Sequence, residues 1–311
     1  MSILVVGSIA FDTVRTPLGE VEDALGGSAT FFAAAARFFA PVKVVAVVGE
    51  DFGPEALDFL RRDGVDTAGV VVAKGRTFRW IGSYGDEMGD ATTHATLLNV
   101  FQEFRPKIPR AWRREPYVFL ANIDPELQLS VLDQMERPEL VVCDTMNFWI
   151  SGKREALLAL LPRVQVFVCN EREAKELAGD PNPIRAARAI LRMGPSRVIV
   201  KLGEYGVMLV GGDKIYRLPA FPVEDIHDPT GCGDAFAGGF VGKLAETRDH
   251  SFEGMHRALL AGAVCASFNV ESFSMERLKQ IDRQAIEQRC RELEHIAGWT
   301  WDTANATSVR R

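Results

Sequence analysis

The feature that most constrains this chain is an alternation of short apolar runs with helix-forming stretches along most of its length. The apolar runs are nearly unbroken and rich in β-branched residues, as expected of strands covered on both faces. They span residues 3–7, 42–49, 117–121, 139–144, 164–170 and 197–203. Helical stretches lie between them, at 28–39, 54–62, 125–136, 152–161, 171–178 and 184–193. This repeat requires crossover connections, so we predict an α/β fold around a mostly parallel sheet.

Two segments interrupt the alternation. Residues 11–25 follow the first strand without a clear helical pattern, and residues 70–106 consist of extended pieces separated by glycine-rich turns. Phe78 and Trp80 lie two positions apart in the second segment, as on one face of a strand. A β-excursion that packs its own aromatic side chains explains this pattern. A small sheet that covers a site at the carboxyl edge of the main sheet explains it too, and the two interpretations are compatible.

The C-terminal third of the chain predicts three further elements. Residues 206–218 have the pattern of a hairpin that turns at the sequence GGD. Residues 254–273 read as an apolar helix that runs into a loop. Residues 298–311 are polar, and we expect them to form a loosely held tail.

Composition and charge narrow the class of protein. The chain has 311 residues, 47% of them hydrophobic and 25% charged, as in ordinary globular proteins with a large core. A net charge of −6 disfavours a nucleic-acid binder that works through bulk charge. The five cysteines form no C-x-x-C pair, so neither a zinc cage nor a disulfide framework is indicated. With no apolar run near the length of a membrane span and no leader-like start, we expect a cytoplasmic protein without membrane or nucleic-acid partners.

The strongest chemical signal is the sequence HDPTGCGDAFAGGF, residues 227–240. A helix is predicted after Gly233, and the free N–H groups of its first turn, beside small glycines, favour phosphate binding. Asp234 lies in the same turn, where a plain phosphate cradle would not place an acid. An acid is explained if it removes a proton from a hydroxyl while the N–H groups stabilise a phosphoryl group in transfer. A simple helix N-cap explains it equally, and the spacing alone leaves both interpretations open.

Five motifs together resemble the ribokinase-like (PfkB) carbohydrate kinase family. DPTGCGDAF is similar to the family's C-terminal signature D-T-x-G-A-G-D, with Pro229 in the Thr place and Cys232 for the usual Ala. The other four motifs are similar to the opening strand with its substrate acid, the N-terminal glycine signature, the N-x-x-E motif, and the nucleotide-side strand and turn; they read ILVVGSIAFD, GGSATFFAAAARF, NEREA and VKLGEYGVML. The resemblance implies a single domain, 1–311, built as a three-layer α/β/α sandwich. It also implies a small β-sheet lid formed by about 11–25 and 74–106.

The resemblance implies an ATP-dependent kinase that transfers the γ-phosphoryl group of ATP to a hydroxyl of a small sugar or sugar derivative. Asp234 would be the base, and the N–H groups of Gly231, Cys232 and Gly233 would form the oxyanion hole. Because Cys232 would stand at the positive end of a helix, we also expect its thiol to have a lowered pKa.

The same resemblance implies two cation sites. Asn170 and Glu173 would position magnesium, through water, since hard oxygen ligands suit that ion. Asp228 and Thr230 match positions that contribute to a monovalent-cation site in some members of the family. Potassium activation is therefore left open.

On the acceptor side, the resemblance implies that Asp12 holds sugar hydroxyls and that Gly26 and Gly27 let the backbone approach the sugar. The chain departs from the family pattern at Phe31, where the glycine signature often carries an Asn that binds a sugar hydroxyl. A phenyl ring cannot hydrogen-bond a polyol, so a ring-bearing acceptor such as a nucleoside is an alternative, with aromatic side chains available in the lid. Asp144 and Asn147 follow a strand, and they either face the same cleft or simply begin a loop.

The donor side of the site follows from the nucleotide-side turn and the C-terminal apolar helix. The resemblance implies that ATP is bound by residues of these two elements: Lys201, Gly203, Gly206, Ala263, Ala266 and Asn269.

Three functional hypotheses remain from the sequence: a sugar kinase, a nucleoside kinase of the same fold, and a catalytically idle regulator that binds sugar or nucleotide. The intact Asp234 and its glycine turn argue against the idle form, because a binding protein has no need of a base. An exposed sheet edge in the lid is compatible with a homodimer formed through the lid.

Overall fold

The computed structural model describes residues 1–298, so the predicted polar tail lies outside the described residues except for Gly298. Within this range the strands are β1 (Ile3–Val6), β2 (Ala10–Thr16), β3 (Gly19–Gly26), β4 (Val42–Gly49), β5 (Asp66–Ala73), β6 (Phe78–Ser83), β7 (Thr92–Leu97), β8 (Tyr117–Leu120), β9 (Leu140–Asp144), β10 (Val166–Asn170), β11 (Arg197–Lys201), β12 (Val207–Gly211) and β13 (Lys214–Leu218). The α-helices are α1 (Ser28–Ala36), α2 (Asp58–Arg62), α3 (Pro125–Gln134), α4 (Asn147–Gly152), α5 (Arg154–Leu160), α6 (Glu171–Ala178), α7 (Pro183–Leu191), α8 (Cys232–Thr247), α9 (Phe252–Asn269), α10 (Glu276–Gln280) and α11 (Arg283–Ile296).

Nine strands form one large sheet, in the order β13-β12-β11-β10-β9-β8-β1-β4-β5. The seven strands from β11 to β5 run parallel, whereas β12 and β13 form an antiparallel hairpin at one edge. The prediction of an α/β fold around a mostly parallel sheet is confirmed, and so is the hairpin.

Both faces of the large sheet are buried, which explains why its strands read as unbroken apolar runs. In β1, Ile3 and Val5 join one apolar cluster, and Leu4 and Val6 join another on the opposite face. Helices α1, α8, α9, α10 and α11 supply side chains to the first cluster, and α3, α5, α6 and α7 to the second. None of the helices within residues 1–298 combines the length and apolarity that crossing a membrane requires.

A separate four-stranded sheet, with the order β3-β2-β6-β7, uses the two segments that interrupt the alternation. We call it the small sheet; its role as a lid stays a prediction. Residues 70–73 were expected among the extended pieces of this segment, but they belong to β5 and pair with β4 at the edge of the large sheet. Strand β5 is an edge strand, which pairs on one side only and leaves Val71 and Val72 exposed.

Two helix predictions differ from the structure in their boundaries. The stretch 54–62 begins with a 3₁₀ turn, Pro54–Leu57, before α2. The stretch 152–161 was predicted as one helix, but α4 ends at Gly152 and α5 begins anew at Arg154.

Helix α8 lies close to its neighbours because it carries glycine where their backbones approach. A Cβ added to Gly238 would lie 2.3 Å from the carbonyl oxygen of Phe32 in α1. A Cβ on Gly239 would lie 2.6 Å from the carbonyl oxygen of Ala261 in α9. Real Cβ atoms do not approach backbone oxygens so closely, so these glycines fix where α8, and with it the sequence around Asp234, can lie.

We therefore expect Gly238→Ala to lower the free energy of unfolding by about 1–3 kcal/mol through overpacking against α1. This loss should exceed the gain of about 1 kcal/mol in helix propensity that alanine brings. Urea unfolding followed by circular dichroism measures the change. Gly152→Ala is the matched control, since no atom lies within 4 Å of its added Cβ. Equal unfolding midpoints for the two variants would contradict the close-packing argument.

Candidate active site

The candidate site lies at the carboxyl edge of the parallel strands, where open α/β sheets place their ligands. Strand β9 ends at Asp144, β10 at Asn170 and β11 at Lys201, three polar residues on adjacent strands. The N-terminus of α8 reaches the same edge, since the Lys201 ammonium would lie only 2.8 Å from a Cβ built on Gly233.

Residues 228–234, here called the glycine turn, lead into α8. Gly231 is the N-cap residue, with φ of 75°, and no side chain caps this helix. Asp234 stands in the first helical turn, three positions after the cap, so the interpretation of Asp234 as a simple N-cap is wrong. Glycine is needed at position 231 for two reasons. Its φ lies in the left-handed region, and a Cβ there would lie 2.3 Å from the Phe31 ring.

The N–H groups of the glycine turn are not all free. Cys232 donates its N–H to the Pro229 carbonyl oxygen at 3.2 Å, which corrects its predicted place in the oxyanion hole. With no side-chain cap on α8 within the described residues, the N–H groups of Gly231, Gly233 and Asp234 are the remaining candidates to bind an anion, and the place of Gly231 and Gly233 in an oxyanion hole stays a prediction.

Lys201 is the centre of a buried charge cluster. Its ammonium lies 2.9 Å from the Asp144 carboxylate, which is almost fully buried. Burial lowers the pKa of Lys201, but the attraction of Asp144 and Glu173 outweighs this and raises the pKa above its ordinary value. Burial, with the nearby charge of Asp144, raises the pKa of Asp234 to about 7, against the opposing effect of Lys201. A carboxyl group with this pKa is poised to take up a proton near neutrality.

A narrow cleft, with no room for a water molecule as the side chains lie, is found beside the glycine turn, between it and the small sheet. We call it the acceptor cavity. Asp12, Asp228, Thr230 and Ser274 are its polar side chains, and the apolar ones are Val14, Val21, Ala24, Leu25 and Phe31.

Asp12 is nearly buried in this cavity. Burial and the like charges of Asp228 and Asp234 raise the pKa of Asp12 to about 7, while the Gly27 N–H opposes the rise. Gly26 leaves room for the carboxylate, because a Cβ there would overlap it. Gly27 has φ of 94° and lies against the backbone at Ser8 and Ala10. The two glycines thus place Asp12 and join β3 to α1.

Phe31 and Trp80 are the aromatic side chains next to Asp12. Phe31 is only 2% exposed and packs under Gly231, so it lines the cavity without offering a polar group. Trp80 pairs with Asp12 in the register of β2 and β6, which places both residues on one face of the small sheet. Its indole lies over Gly82 and donates to Thr93 Oγ1 at 3.3 Å.

An open cavity of about 410 Å³ lies on the other side of Lys201. We call it the donor cavity. Its lining consists of Asp90, Asn170, Glu171, Arg172, Lys175, Lys201, Leu202 and Gly203. Its three cationic side chains are each paired with a carboxylate as they lie, and they are the groups through which the cavity could contact a polyphosphate. Arg172 and Lys175 were missed in the sequence, although both lie within or just after the N-x-x-E motif.

Comparison with known proteins agrees with this geometry. The sequence profile of the pfkB family carbohydrate kinases matches residues 128–279. A cytidine kinase from Thermococcus kodakarensis is 30% identical over 254 residues, which cover 80% of this chain and 90% of that protein. The chain belongs to the pfkB family of carbohydrate kinases. It is accordingly a phosphotransferase, of a family whose relatives include sugar kinases and nucleoside kinases.

Solved structures share the fold of this pfkB-family kinase. A putative ribokinase II from E. coli, in complex with ATP and Mg²⁺, has a TM-score of 0.76 at 19% identity, covering 94% of this chain and 99% of that one. A Burkholderia thailandensis nucleoside kinase in complex with inosine has a TM-score of 0.73 at 19% identity, covering 96% and 99%. The three-layer ribokinase-like architecture predicted from the sequence is confirmed.

The predicted magnesium residues form a capping box at the start of α6. Asn170 Oδ1 accepts from the Glu173 N–H, and Glu173 Oε2 accepts from the Asn170 N–H, both at 2.8 Å. Burial, with the charge of Asp144, raises the pKa of Glu173 in spite of Lys201. Within residues 1–298, no cluster of His, Cys, Asp or Glu could hold a metal ion by itself. This fits magnesium that is carried by phosphate oxygens and water, with one or two protein oxygens nearby.

Three predicted contacts with substrate are not made by the side chains as they lie. Asn147 donates to Glu176 of α6 at 2.9 Å and is turned away from the acceptor cavity. Asn269 is fully buried behind the glycine turn, so it supports that turn and does not line an adenine pocket. Asp144 holds Lys201 and is not among the side chains that line the acceptor cavity.

The other residues that were predicted to bind ATP differ in what surrounds them in the structure. Lys201 and Gly203 line the donor cavity, and their contact with ATP stays a prediction. Gly206 is accounted for by packing, since a Cβ there would lie 2.0 Å from the Leu218 carbonyl oxygen. Ala263 and Ala266 are half-buried and lie one turn apart on α9.

The expectation of a lowered pKa for Cys232 is wrong. Its sulfur lies 3.7 Å from the Ala266 carbonyl oxygen and accepts from Asn269 Nδ2 at 3.5 Å. Burial raises the pKa of this thiol to about 12, and the nearby charges of Asp228 and Asp234 add to the rise. The thiol points into the α8–α9 packing, so the helix N-terminus does not activate it.

The raised pKa of Asp12 predicts how stability depends on pH. The folded protein holds the Asp12 proton up to about pH 7, so the stability that this group contributes is lost as pH rises through that value. We expect Asp12→Asn to raise the free energy of unfolding by about 1–3 kcal/mol at pH 8, with a smaller gain at pH 5. Urea unfolding at both pH values measures this, with the exposed Asp213→Asn as control. A gain that does not shrink at pH 5 would contradict the argument.

Proposed function

We propose that this protein is an ATP-dependent kinase that phosphorylates a hydroxyl of a neutral, sugar-containing acceptor, and that the acceptor is a nucleoside. The observation that carries the proposal is the place of Asp234. This carboxyl stands in the uncapped first turn of α8, beside the Lys201 ammonium. The acceptor cavity opens on one side of the turn, and the donor cavity is lined by Lys201 on the other.

In this mechanism Asp234 accepts the proton of the attacking hydroxyl. The acceptor oxygen forms a bond to the γ-phosphorus of ATP while the bond from that phosphorus to the ADP oxygen breaks, which yields ADP and the phosphorylated acceptor. The raised pKa of Asp234 makes it a base suited to neutral pH. The N–H groups of Gly233 and Asp234, with the Lys201 ammonium, stabilise the negative charge of the phosphoryl group.

Asp144 acts through Lys201 in this scheme. The 2.9 Å ion pair keeps the ammonium at the end of β11, next to Gly233, where a phosphoryl group would pass. Magnesium bound with ATP would supply positive charge that neutralises the phosphate groups. Asn170 and Glu173 would hold it through water, and Arg172 and Lys175 would contact the polyphosphate in the donor cavity.

The lining of the acceptor cavity supports a nucleoside. Its carboxyl groups, Asp12 and Asp228, suit sugar hydroxyls, and the described residues of its lining include no cationic side chain that would bind an anionic acceptor, whereas much of the remaining lining is apolar. Phe31 offers no hydrogen bond where a polyol would need one. Trp80, on the same face as Asp12, offers a flat aromatic surface on which a base can stack. Relatives named as cytidine kinase, adenosine kinase and nucleoside kinase support this class.

A small free sugar is the second candidate. Relatives named as ribokinase are also similar to this chain, which supports this class. Potassium activation through Asp228 and Thr230, a homodimer through the small sheet, and a cytoplasmic location stay predictions.

A panel of acceptors distinguishes the candidates. We expect ADP release with at least one nucleoside among cytidine, adenosine and inosine, at a kcat/KM at least about tenfold above that for ribose or fructose, because base stacking contributes about 1–3 kcal/mol. Trp80→Leu should raise the nucleoside KM by about tenfold for the same reason. Phe148→Leu, an exposed aromatic away from the acceptor cavity, is the control. A free sugar as the best acceptor would favour the second candidate, and no ADP release with any acceptor would contradict the kinase.

Replacement of the base tests the chemistry. Asp234→Asn keeps the shape of the side chain but cannot accept the proton, so we expect kcat to fall by roughly 10²–10⁴-fold with much smaller changes in either KM. Steady-state kinetics and a melting curve on one preparation measure both activity and folding. Asp213→Asn, in the exposed hairpin turn, should behave as the wild type. A well-folded and fully active Asp234→Asn protein would rule out this carboxylate as the base.

A further inference from the structure

Thr230 lies in the glycine turn, directly before Gly231, and each of its three polar groups makes a hydrogen bond. Its N–H donates to Asp228 Oδ1 at 2.9 Å, and its carbonyl oxygen accepts from Asn269 Nδ2 at 2.8 Å. Its hydroxyl pairs with the Tyr84 hydroxyl at 3.1 Å. A threonine with all three polar groups hydrogen-bonded has little conformational freedom. Its position therefore restrains the residues of the glycine turn that follow it.

The three partners of Thr230 come from different parts of the molecule. Asp228 and Asn269 belong to the glycine turn and to α9, which packs on α8, and both are almost completely buried. Tyr84 follows β6 of the small sheet, 146 positions earlier in the chain, and its N–H donates to the Arg15 carbonyl oxygen of β2. The third bond to Thr230 therefore depends on where the small sheet lies.

Tyr84 is also a neighbour of the acceptor cavity, because its hydroxyl contacts Thr230, which lines that cavity. Burial raises the pKa of its hydroxyl, and the charges of Asp228, Cys232 and Asp12 add to the rise, against the hydrogen bond to Thr230. The hydroxyl is therefore neutral at physiological pH. It stands near the carboxylates that face the acceptor, so its contact with Thr230 is made beside the place that the acceptor would occupy.

The connection that begins with Tyr84 reaches the donor cavity as well. Residues 84–91 join β6 to β7, and Asp90 of this connection pairs with Arg172 at 3.4 Å in the donor cavity. One short connection of the small sheet thus contacts the glycine turn at its first residues and α6 at its last. Its position is linked to both candidate substrate sites.

We propose that Tyr84 is a positioning residue of this kinase: through Thr230 it places the N–H groups of the glycine turn and Asp234 for phosphoryl transfer. The small sheet is then part of the catalytic machinery and not only a cover. This inference rests on the proposed function for its kinetic consequence, since a misplacement of about 1 Å can cost 10²-fold in rate. Its structural part, the restraint of the glycine turn by Tyr84, holds whatever the acceptor is.

Two measurements on Tyr84→Phe test the two parts separately. Amide hydrogen exchange of residues 230–235, without substrates, should speed up relative to the wild type because the hydroxyl clamp is lost. With the best acceptor of the panel, kcat should fall by about 3- to 10-fold, the value of one hydrogen bond, while the KM for ATP stays within twofold. Tyr216→Phe is the matched control. It removes a tyrosine hydroxyl from β13, at the far edge of the large sheet, and should change neither measurement.

A double-mutant cycle shows whether Tyr84 acts through Thr230. Thr230→Val removes the partner hydroxyl but keeps the N–H and carbonyl bonds. If the contact is responsible, Tyr84→Phe combined with Thr230→Val should lower kcat no further than the larger single effect. Additive effects on kcat would overturn the proposal, and so would unchanged hydrogen exchange of residues 230–235 in Tyr84→Phe. If no acceptor of the panel is phosphorylated, the proposed function fails, and the exchange measurement still decides whether Tyr84 restrains the turn.

Discussion

Lys201 carries a positive charge into a part of the molecule where Asp144, Glu173 and Asp234 would otherwise repel one another. Burying carboxylates without a partner is costly, and like charges at close range raise each pKa further. The ammonium is held 2.9 Å from Asp144 and thus reaches across β10, from the end of β11 to the end of β9. The carboxyl edge of the sheet, the N-terminus of α8 and the N-x-x-E helix α6 all meet at this one charge. Removing one member of such a buried group leaves the others uncompensated, which is far more costly than losing a surface ion pair.

Close backbone packing brings the second half of the site to that charge. Helix α8 can approach α1 and α9 only because Gly238 and Gly239 have no side chain there. This close packing of α8 on α1 and α9 sets the position of the first turn of α8 relative to the ends of the strands. The chemistry proposed for Asp234 therefore depends on residues one turn along the helix that touch neither cavity. Electrostatic attraction to Lys201 stabilises the carboxylates at the sheet edge, and close packing at the two glycines sets the distance between that edge and the first turn of α8.

The sequence was sufficient to predict the fold and a helix start at the glycine turn, because both depend on local pattern. Unbroken apolar runs identify strands covered on both faces, and the glycines before Asp234 indicate the helix start, although the spacing left open whether Asp234 caps it. Side-chain direction could not be predicted in the same way. Cys232 points into helix packing, Asn147 turns to Glu176, and Asn269 supports the glycine turn from behind; each is decided by a neighbour distant in sequence. Tyr84 and Asp90 reach the site from a segment whose own pattern shows only a small sheet.

The contact between Phe31 and Gly231 has a consequence for how proteins of this kind can diverge. The ring occupies the space under the turn, and a Cβ on residue 231 would meet it at 2.3 Å. A smaller side chain at 31 would leave a void beneath the glycine turn, and any larger residue at 231 would need that void. The two positions, one in the N-terminal glycine signature and one in the C-terminal signature, are therefore structurally coupled. A substitution at residue 31 that altered the acceptor cavity would also disturb the backbone that we propose to stabilise the phosphoryl group.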